Sequence, residues 1–184
     1  MKRLILSISL AFIAVMAYAQ KDIPAGIRIE AGEFELDDQG VFSVFKYKDS
    51  DDVTAYYMSV AYKINVLGIF RDDITDMSLD HIDETCICIG DTADEAMAFM
   101  EDLLALLDED PGTTTEFKCR KTNGAERLTD YSTATCIVVK RLFAKRLNFV
   151  FESGRRTADT DMNKAAIKAL ISSMKFYSKL HPDW

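Results

Sequence analysis

Residues 84–112 read ETCICIGDTADEAMAFMEDLLALLDEDPG, and this stretch decides the fold. Residues 85–89 are a short apolar run that stops at Gly90, which is typical of a buried strand. From Asp91 to Asp108, apolar residues recur at intervals of three and four, as on the buried face of a helix. Thr92 has a glutamate three residues on, which is the spacing of a capping box. The helix must bury its apolar stripe, and a sheet face is the expected partner.

Strands are predicted on both sides of this unit. The longest is 54–66, where apolar and aromatic residues alternate with period two, and a helix is the alternative there. The other predicted strands span 27–30 (which Phe34 and Leu36 can extend), 41–47, 113–121, 133–143, 147–152 and 156–162. Residues 71–83 form the most acidic loop, with little regular structure expected.

A second helix is predicted near the end of the sequence. Asn163 suits its N-cap, and residues 164–174 carry an apolar stripe. Phe176 and Tyr177 are expected to pack behind it, and residues 181–184 to form a loose end. Hairpin turns join the later strands, which favours antiparallel pairing. A parallel doubly wound sheet would need helices between most strands, and the sequence lacks them. The predicted fold class is therefore α+β, with a mainly antiparallel curved sheet of about six to eight strands and two helices packed on one face.

The N-terminus has the pattern of a secretory signal peptide over residues 1–19. Lys2 and Arg3 precede an apolar core at 4–17, and Ala17-Tyr18-Ala19 matches an A-x-A cleavage site. An N-terminal membrane anchor is the alternative, although the apolar core is too short to span a bilayer comfortably. We therefore expect a single α+β domain over residues 20–184, secreted or periplasmic, with no stable membrane insertion after cleavage.

Charge restricts the partners that the protein can have. The formal net charge is −8, and loss of Lys2 and Arg3 would make it more negative. A net-acidic surface repels phosphate backbones and anionic membranes, so nucleic acid is not expected as a partner. A small molecule, a glycan or a protein remains as the expected partner.

The sequence contains no recognisable catalytic motif: no nucleophile elbow, no zinc-protease motif and no phosphate-binding loop. The chain has only two histidines. His81 is the one that lies near other possible catalytic residues: it stands between Asp80 and Asp83, and Cys86 follows five residues later. These residues are candidates for a hydrolytic site, although an exposed loop histidine and a buried cysteine are the simpler interpretation.

Calcium is the one metal that the acidic residues suggest, and no cofactor is otherwise expected. The candidate ligands are the loop carboxylates Asp72, Asp73 and Asp76. A second group with one-three-five spacing consists of Asp159, Asp161 and Asn163. It lacks the glycine and glutamate that a calcium loop requires at positions six and twelve.

Four cysteines follow the predicted signal peptide: Cys86, Cys88, Cys119 and Cys136. Export permits disulfides, and Cys119 and Cys136 could oppose each other across a hairpin. The preferred interpretation is that all four are small buried hydrophobic residues.

Four tyrosines are the candidate ligand-binding residues, because a tyrosine-lined sheet face can bind a sugar or a peptide, although half-buried positions at the edge of the core are the commoner interpretation. They are Tyr47, Tyr56, Tyr57 and Tyr62. Basic residues also cluster at 118–127, at 140–146 and at 155–156. They could form a bipolar surface that binds acidic ligands, but edge protection by charge is the preferred interpretation. The leading hypothesis is a non-catalytic binding or interaction module. The alternatives are an extracytoplasmic hydrolase that uses loop carboxylates or His81, and a structural subunit of an envelope assembly joined through a strand edge.

Overall fold

The computed structural model describes residues 26–36, 40–49, 53–65, 80–123, 127–128, 131–142, 144–153, 156–182 and 184. The predicted signal peptide at 1–19 lies outside the described residues, as does most of the predicted acidic loop. Within the described part, the chain forms nine strands and two helices. The strands are β1 (Ile27–Leu36), β2 (Gly40–Lys48), β3 (Thr54–Asn65), β4 (Asp80–Gly90), β5 (Thr114–Asn123), β6 (Arg127–Leu128), β7 (Ser132–Arg141), β8 (Ala144–Ser153) and β9 (Arg156–Met162). The helices are α1 (Ala93–Leu106) and α2 (Lys164–Leu180).

The strands form one antiparallel sheet in the order β1-β2-β3-β4-β5-β7-β8-β9, and the short β6 pairs with β5. Helix α1 lies between β4 and β5 in the chain, yet these two strands are neighbours in the sheet. The sheet curves strongly enough to bring β3 and β9 into contact, although they are far apart in the strand order. The predicted antiparallel curved sheet is confirmed, and the span from Thr54 is a strand rather than a helix.

Both helices pack on one face of the sheet, as predicted. They share a single apolar core with β1, β2, β3, β4, β5, β7, β8 and β9. Helix α1 buries Ala96, Met100 and Leu103. The stripe of α2 consists of Ala166, Ile167, Leu170, Ile171 and Met174. Because each fully buried side chain of this kind contributes roughly 1.5–3 kcal/mol, this shared core is the main source of stability.

The junction between β4 and α1 is built as the capping residues predict. The Glu95 amide donates to Thr92 Oγ1 at 3.2 Å, and the Glu95 carboxylate accepts from the Asp91 amide at 2.8 Å. Gly90, just before this cap, has φ +152°, and an added Cβ would lie 2.6 Å from Glu95 Cβ. A glycine is therefore required by both the backbone conformation and the close approach of the helix.

The sequence-based interpretation of residues 80–83 as loop is wrong. Strand β4 begins at Asp80, and its first residues pair with the end of β3, with Asn65 opposite Asp80 and Ile64 opposite His81. The acidic composition argues against a strand, but a long neighbouring strand offers backbone partners along its whole length. Such pairing overrides local propensity.

The interpretation of the C-terminus is confirmed for Tyr177, which packs against the core, but it is wrong for Phe176 and Trp184. Helix α2 continues to Leu180 and includes Phe176 and Tyr177; Phe176 is exposed rather than packed. Trp184 is not part of a loose end, because it is only 7% exposed and packs against Tyr56 and Tyr177, with centroid distances of 5.1 and 5.4 Å. A single large aromatic side chain is enough to attach the end of the chain to the core.

In the part of the chain that the structure describes, neither helix is sufficiently long and apolar to cross a lipid bilayer.

Candidate functional site

The face of the sheet opposite the helices, called the open face here, carries a second apolar cluster. Its buried members come from β2, β3, β4 and β6: Phe45, Tyr47, Ala55, Tyr57, Cys86 and Leu128. Phe45 stacks on Tyr57, with ring centroids 5.6 Å apart. Most of these residues occupy the strand positions that alternate with the helix-facing ones. The aromatic residues of the open face are therefore buried, although they lie on the side of the sheet opposite the helices.

A cation covers one end of this aromatic cluster. The Arg28 guanidinium lies 3.9 Å from the centroid of the Phe45 ring. Arg28 Nη1 donates to Glu84 Oε1 at 2.7 Å, and the Ser59 hydroxyl donates to the same oxygen. Burial by itself would lower the pKa of Arg28, but the hydrogen bond and the charge of Glu84 raise it. The Arg28 guanidinium, held by Glu84, therefore covers the Phe45 ring with a polar group.

At the other end of the open face lies a group of two cations and two tyrosines, which we call the cation–tyrosine patch. It consists of Lys118, Arg120, Tyr57 and Tyr131. Tyr131 is 51% exposed. The Lys118 ammonium lies 4.7 Å from the centroid of the Tyr131 ring, and Arg120 Cζ lies 5.0 Å from it. Both distances are within the range of cation–π attraction.

Hydrogen bonds hold the patch in place. Arg120 donates to the Tyr57 hydroxyl and to the Leu128 carbonyl, each at 3.3 Å. The hydroxyls of Tyr57 and Tyr131 are 3.4 Å apart. Strand β6 is responsible for part of this geometry, because its pairing with β5 places the Leu128 carbonyl within reach of Arg120. The guanidinium is thereby oriented by two fixed acceptors.

The protonation states of the patch follow from burial and from these bonds. Burial raises the pKa of Tyr57, and its hydrogen bond with Tyr131 raises it further. Burial would lower the pKa of Arg120, but the contacts with Tyr57 and the nearby charge of Asp49 raise it overall. At neutral pH the Tyr57 hydroxyl is therefore neutral, and Arg120 is positively charged.

The patch lies on inner strands of the sheet. Strand β5 pairs with β4 on one side and with β7 on the other, with Cys86 opposite Arg120 and Thr133 opposite Lys118. Tyr131 directly precedes β7. Arg120 thus pairs with a β4 residue and Lys118 with a β7 residue, and the patch itself consists of side chains.

Among the four tyrosines predicted as ligand-binding residues, three are buried. Tyr47, Tyr56 and Tyr57 are 5%, 4% and 1% exposed. Tyr56 packs on the helix side, whereas Tyr47 and Tyr57 belong to the open-face cluster. The side chain of Tyr62 lies outside what the structure describes. The structure therefore does not bring these residues together on one accessible face; only the Tyr57 hydroxyl contributes to the patch.

The candidate catalytic residues Asp80, His81 and Asp83 are at strand positions in β4, opposite Asn65, Ile64 and Tyr62. Cys86 is buried, and burial strongly raises the pKa of its thiol. A thiol held in its neutral form is a weak nucleophile.

Asp72, Asp73 and Asp76, the predicted calcium ligands, lie outside the described residues. In the second predicted group, the oxygens are used by the protein itself. Asn148 donates to Asp159 at 2.9 Å and to Asp161 at 2.8 Å, and Arg141 donates to Asp161 at 3.0 Å. Asn163 caps helix α2 instead. Within the described residues, no three His, Cys, Asp or Glu side chains are arranged to hold a metal ion.

The four cysteines are free thiols. Cys119 and Cys136 do not oppose each other, because Ser132 pairs with Cys119 and Thr115 pairs with Cys136. The register therefore rules out the alternative of a disulfide across this hairpin. The preferred interpretation of buried thiols is confirmed for Cys86, Cys119 and Cys136, whereas Cys88 is partly exposed. Burial raises the pKa of all four thiols, that of Cys136 to about 12.

Sequence reasoning grouped Lys118 and Arg120 but preferred edge protection as their role, which is wrong because β5 is an inner strand. It did not identify Tyr131. Lys118 and Arg120 alternate with the inward-facing Phe117 and Cys119, so period two places both cations on the same face. The position of Tyr131 depends on the pairing of β5 with β7, which skips β6 in the sheet order. No local pattern indicates that register.

No protein-family model, no curated protein and no solved structure shows significant similarity to this chain.

Proposed function

We propose that the protein is an exported, non-catalytic binding module, and that the cation–tyrosine patch is its ligand site. The observation that supports the proposal is the half-exposed Tyr131 ring with two cations within about 5 Å of its centroid. An exposed aromatic ring next to fixed cations combines a surface for stacking with charges for an anion. The export signal predicted at residues 1–19 supports a role outside the cytoplasm.

The composition of the patch favours binding over catalysis. Tyr57 and Arg120 are held in a single protonation state by burial and hydrogen bonding. A general acid or base needs a pKa near the working pH. Tyr57 and Arg120 are therefore suited to holding a ligand rather than to transferring a proton.

Binding at the patch is tested by titrating isotope-labelled protein with acidic and neutral small probes and following backbone amide shifts. We expect acidic probes to shift the amides of Lys118, Arg120 and Tyr131 first. Shifts confined to other surfaces with every probe would show that the patch is not the site.

The hydrolase alternative has its own test. The protein is assayed with ester, peptide and glycoside substrates, beside a variant that combines Asp80→Ala, His81→Ala and Asp83→Asn. If the protein hydrolyses any of these substrates and the variant does not, the protein is an enzyme and the non-catalytic proposal is wrong.

A further inference from the structure

We infer that the protein forms a two-fold symmetric dimer through its helix layer, in which α1 of each copy lies on α2 of the other. The surface is the outer side of the two helices, which faces away from the sheet. The cation–tyrosine patch is on the opposite face of the sheet, so the dimer does not depend on the proposed ligand site.

The two helices carry charges of opposite sign. Helix α1 contains four acidic residues and no basic one, whereas α2 contains four lysines and no acidic residue. All eight of these side chains are exposed. The helices contact each other, and Lys175 Nζ lies 3.2 Å from Glu101 Oε1 in an ion pair whose two side chains stay 55% and 56% exposed. A second copy that places its α1 on α2 therefore brings opposite charges together along both helices.

The outer side of α2 also exposes two large apolar side chains. Phe176 is 65% exposed and Leu180 is 57% exposed, and residues four apart on a helix are neighbours. On the outer side of α1, the exposed residues between the acids include Ala98 and Ala105, which are small enough to leave space for a large side chain. Burial of Phe176 and Leu180 in both copies supplies the attraction, because exposed ion pairs contribute little by themselves.

The direction of the helices fixes how two copies can meet. Trp184, which follows α2, packs on Tyr56, and Tyr56 pairs with Gly90, which precedes the cap of α1. The end of α2 is therefore near the start of α1, and the two helices run in opposite directions. A two-fold axis parallel to the helices and between them places α1 on the partner's α2, whereas an axis across them would place acidic residues on acidic residues. The charges select the first arrangement.

The size of the surface predicts a weak dimer. The helices have 14 and 17 residues, which gives lengths of about 21 and 26 Å and widths of about 10 Å each. Two such layers cover roughly 500 Å² of each copy, or about 1,000 Å² in total, which is at the lower end for specific interfaces. We therefore expect a dissociation constant on the order of 10–100 µM, so that the protein is monomeric at low micromolar concentration.

An anionic membrane is the other partner that suits lysines beside exposed apolar residues. The acidic residues of α1 lie in the same layer, and anionic lipids repel them. In the dimer these residues face lysines instead, so a second copy fits the whole layer and a membrane fits only half of it.

Dimerisation is measured by sedimentation velocity of the purified protein between about 1 and 300 µM, a range that brackets the expected dissociation constant. We expect a change from monomer to dimer over this range. Phe176→Ala should weaken the dimer at least about tenfold, because two-fold symmetry buries the ring twice. The side chain is exposed in a single copy, so its loss should leave folding intact.

Charge reversals test which helices face each other. Lys175→Glu combined with Lys179→Glu, and Glu101→Lys combined with Asp102→Lys, should each weaken the dimer at least about tenfold, because like charges then meet. A chain with all four replacements exchanges the signs and should dimerise within about threefold of the original chain. Glu116→Lys is the control, since Glu116 is exposed on β5 and alternates with the inward-facing Phe117, which places it on the open face. Circular dichroism confirms that each variant is folded.

A protein that stays monomeric up to about 300 µM would overturn the inference, and so would a dimer that Phe176→Ala and both charge reversals leave unchanged. Failure of the four replacements together to restore dimerisation would show that α1 does not face α2. A monomer that binds phosphatidylglycerol vesicles through the lysines of α2 would identify a membrane as the partner and exclude the dimer. None of these results bears on the patch, which the probe titration tests separately.

Discussion

Gly90 ends strand β4 and leads directly into the cap of helix α1. Its φ of +152° is a conformation that L side chains rarely adopt, and an added Cβ would also lie 2.9 Å from the Ala96 amide nitrogen. This residue therefore allows the strand and the helix to meet at close range.

Gly90→Ala is expected to lower the free energy of unfolding by roughly 2–4 kcal/mol, because strain in φ adds to overlap with the first turn of α1. The measurement is urea denaturation followed by circular dichroism. The control is Gly112→Ala: Gly112 has φ +97°, but nothing lies within 4 Å of an added Cβ. That variant should lose only about 1–2 kcal/mol from backbone strain. Equal losses would show that the contact with α1 does not matter.

The cysteines differ in accessibility, and their chemical reactivity should follow it. Cys88 is partly exposed, whereas Cys86, Cys119 and Cys136 are buried. A short pulse of iodoacetamide at pH 8 should label Cys88 first, and the other three only after unfolding, because reaction requires an accessible thiolate. Peptide mass spectrometry measures the labelling. A disulfide between Cys119 and Cys136, or equally fast labelling of Cys86, would contradict this.

The Cys136 thiol also predicts a loss of stability at alkaline pH. Burial raises its pKa from an ordinary value of 9.0 to about 12 in the folded protein. The folded state therefore keeps a proton that the unfolded chain loses. Its contribution to stability is full below pH 9.0 and falls as the pH rises towards about 12. Urea denaturation at a series of pH values should show this decline, and Cys136→Ala should make it shallower; an unchanged slope would contradict the assignment.

Among the elements, helix α2 shows most clearly how tertiary contacts extend a local pattern. Its apolar stripe predicts the first three turns, and the structure adds further residues up to Leu180. Within the predicted turns, α2 packs closely on β1, since an added Cβ at Gly32 would overlap Ser173 Cβ; beyond them, Tyr177 contacts Trp184. The contact with β1 joins the last helix to the first strand of the sheet.

Trp184 holds the segment after α2 through packing. Its ring contacts Tyr56 and Tyr177, and its buried indole nitrogen has no hydrogen-bond partner among the described residues. Trp184→Ala should lower the free energy of unfolding by roughly 3 kcal/mol. Phe176→Ala is the control, since Phe176 is 65% exposed on the same helix, and it should change stability by less than about 0.5 kcal/mol. Similar values for the two variants would show that Trp184 is not anchored.

For the whole molecule, a single core on the helix side links the two ends of the described chain. It joins Ala31 and Phe42 near the start with Met174 and Trp184 near the end. A chain that stops after Met162 should therefore lack a cooperative unfolding transition and bind a hydrophobic dye, because α2 no longer covers this core. Thermal melts followed by near-ultraviolet circular dichroism measure this. A cooperative melt of the shortened chain would show that α2 is dispensable for folding.

The sequence by itself determined the class of fold, most of the strands and the beginnings of both helices. Period-two and period-three-to-four patterns are local, and so are the caps at Thr92 and Asn163, so they can be read without knowledge of the rest of the chain. The pairing of Lys118 and Arg120 on one face follows from the same local geometry.

Only the tertiary structure decided that Asp80–Asp83 belong to a strand, that Trp184 is buried and that Tyr131 lies over the cations of β5. Each of these depends on a partner distant in sequence: β3 for β4, Tyr56 for Trp184, and the β5–β7 register for Tyr131. Backbone pairing and aromatic packing with such partners outweigh local composition, because a few buried contacts contribute more free energy than the propensity of a short segment.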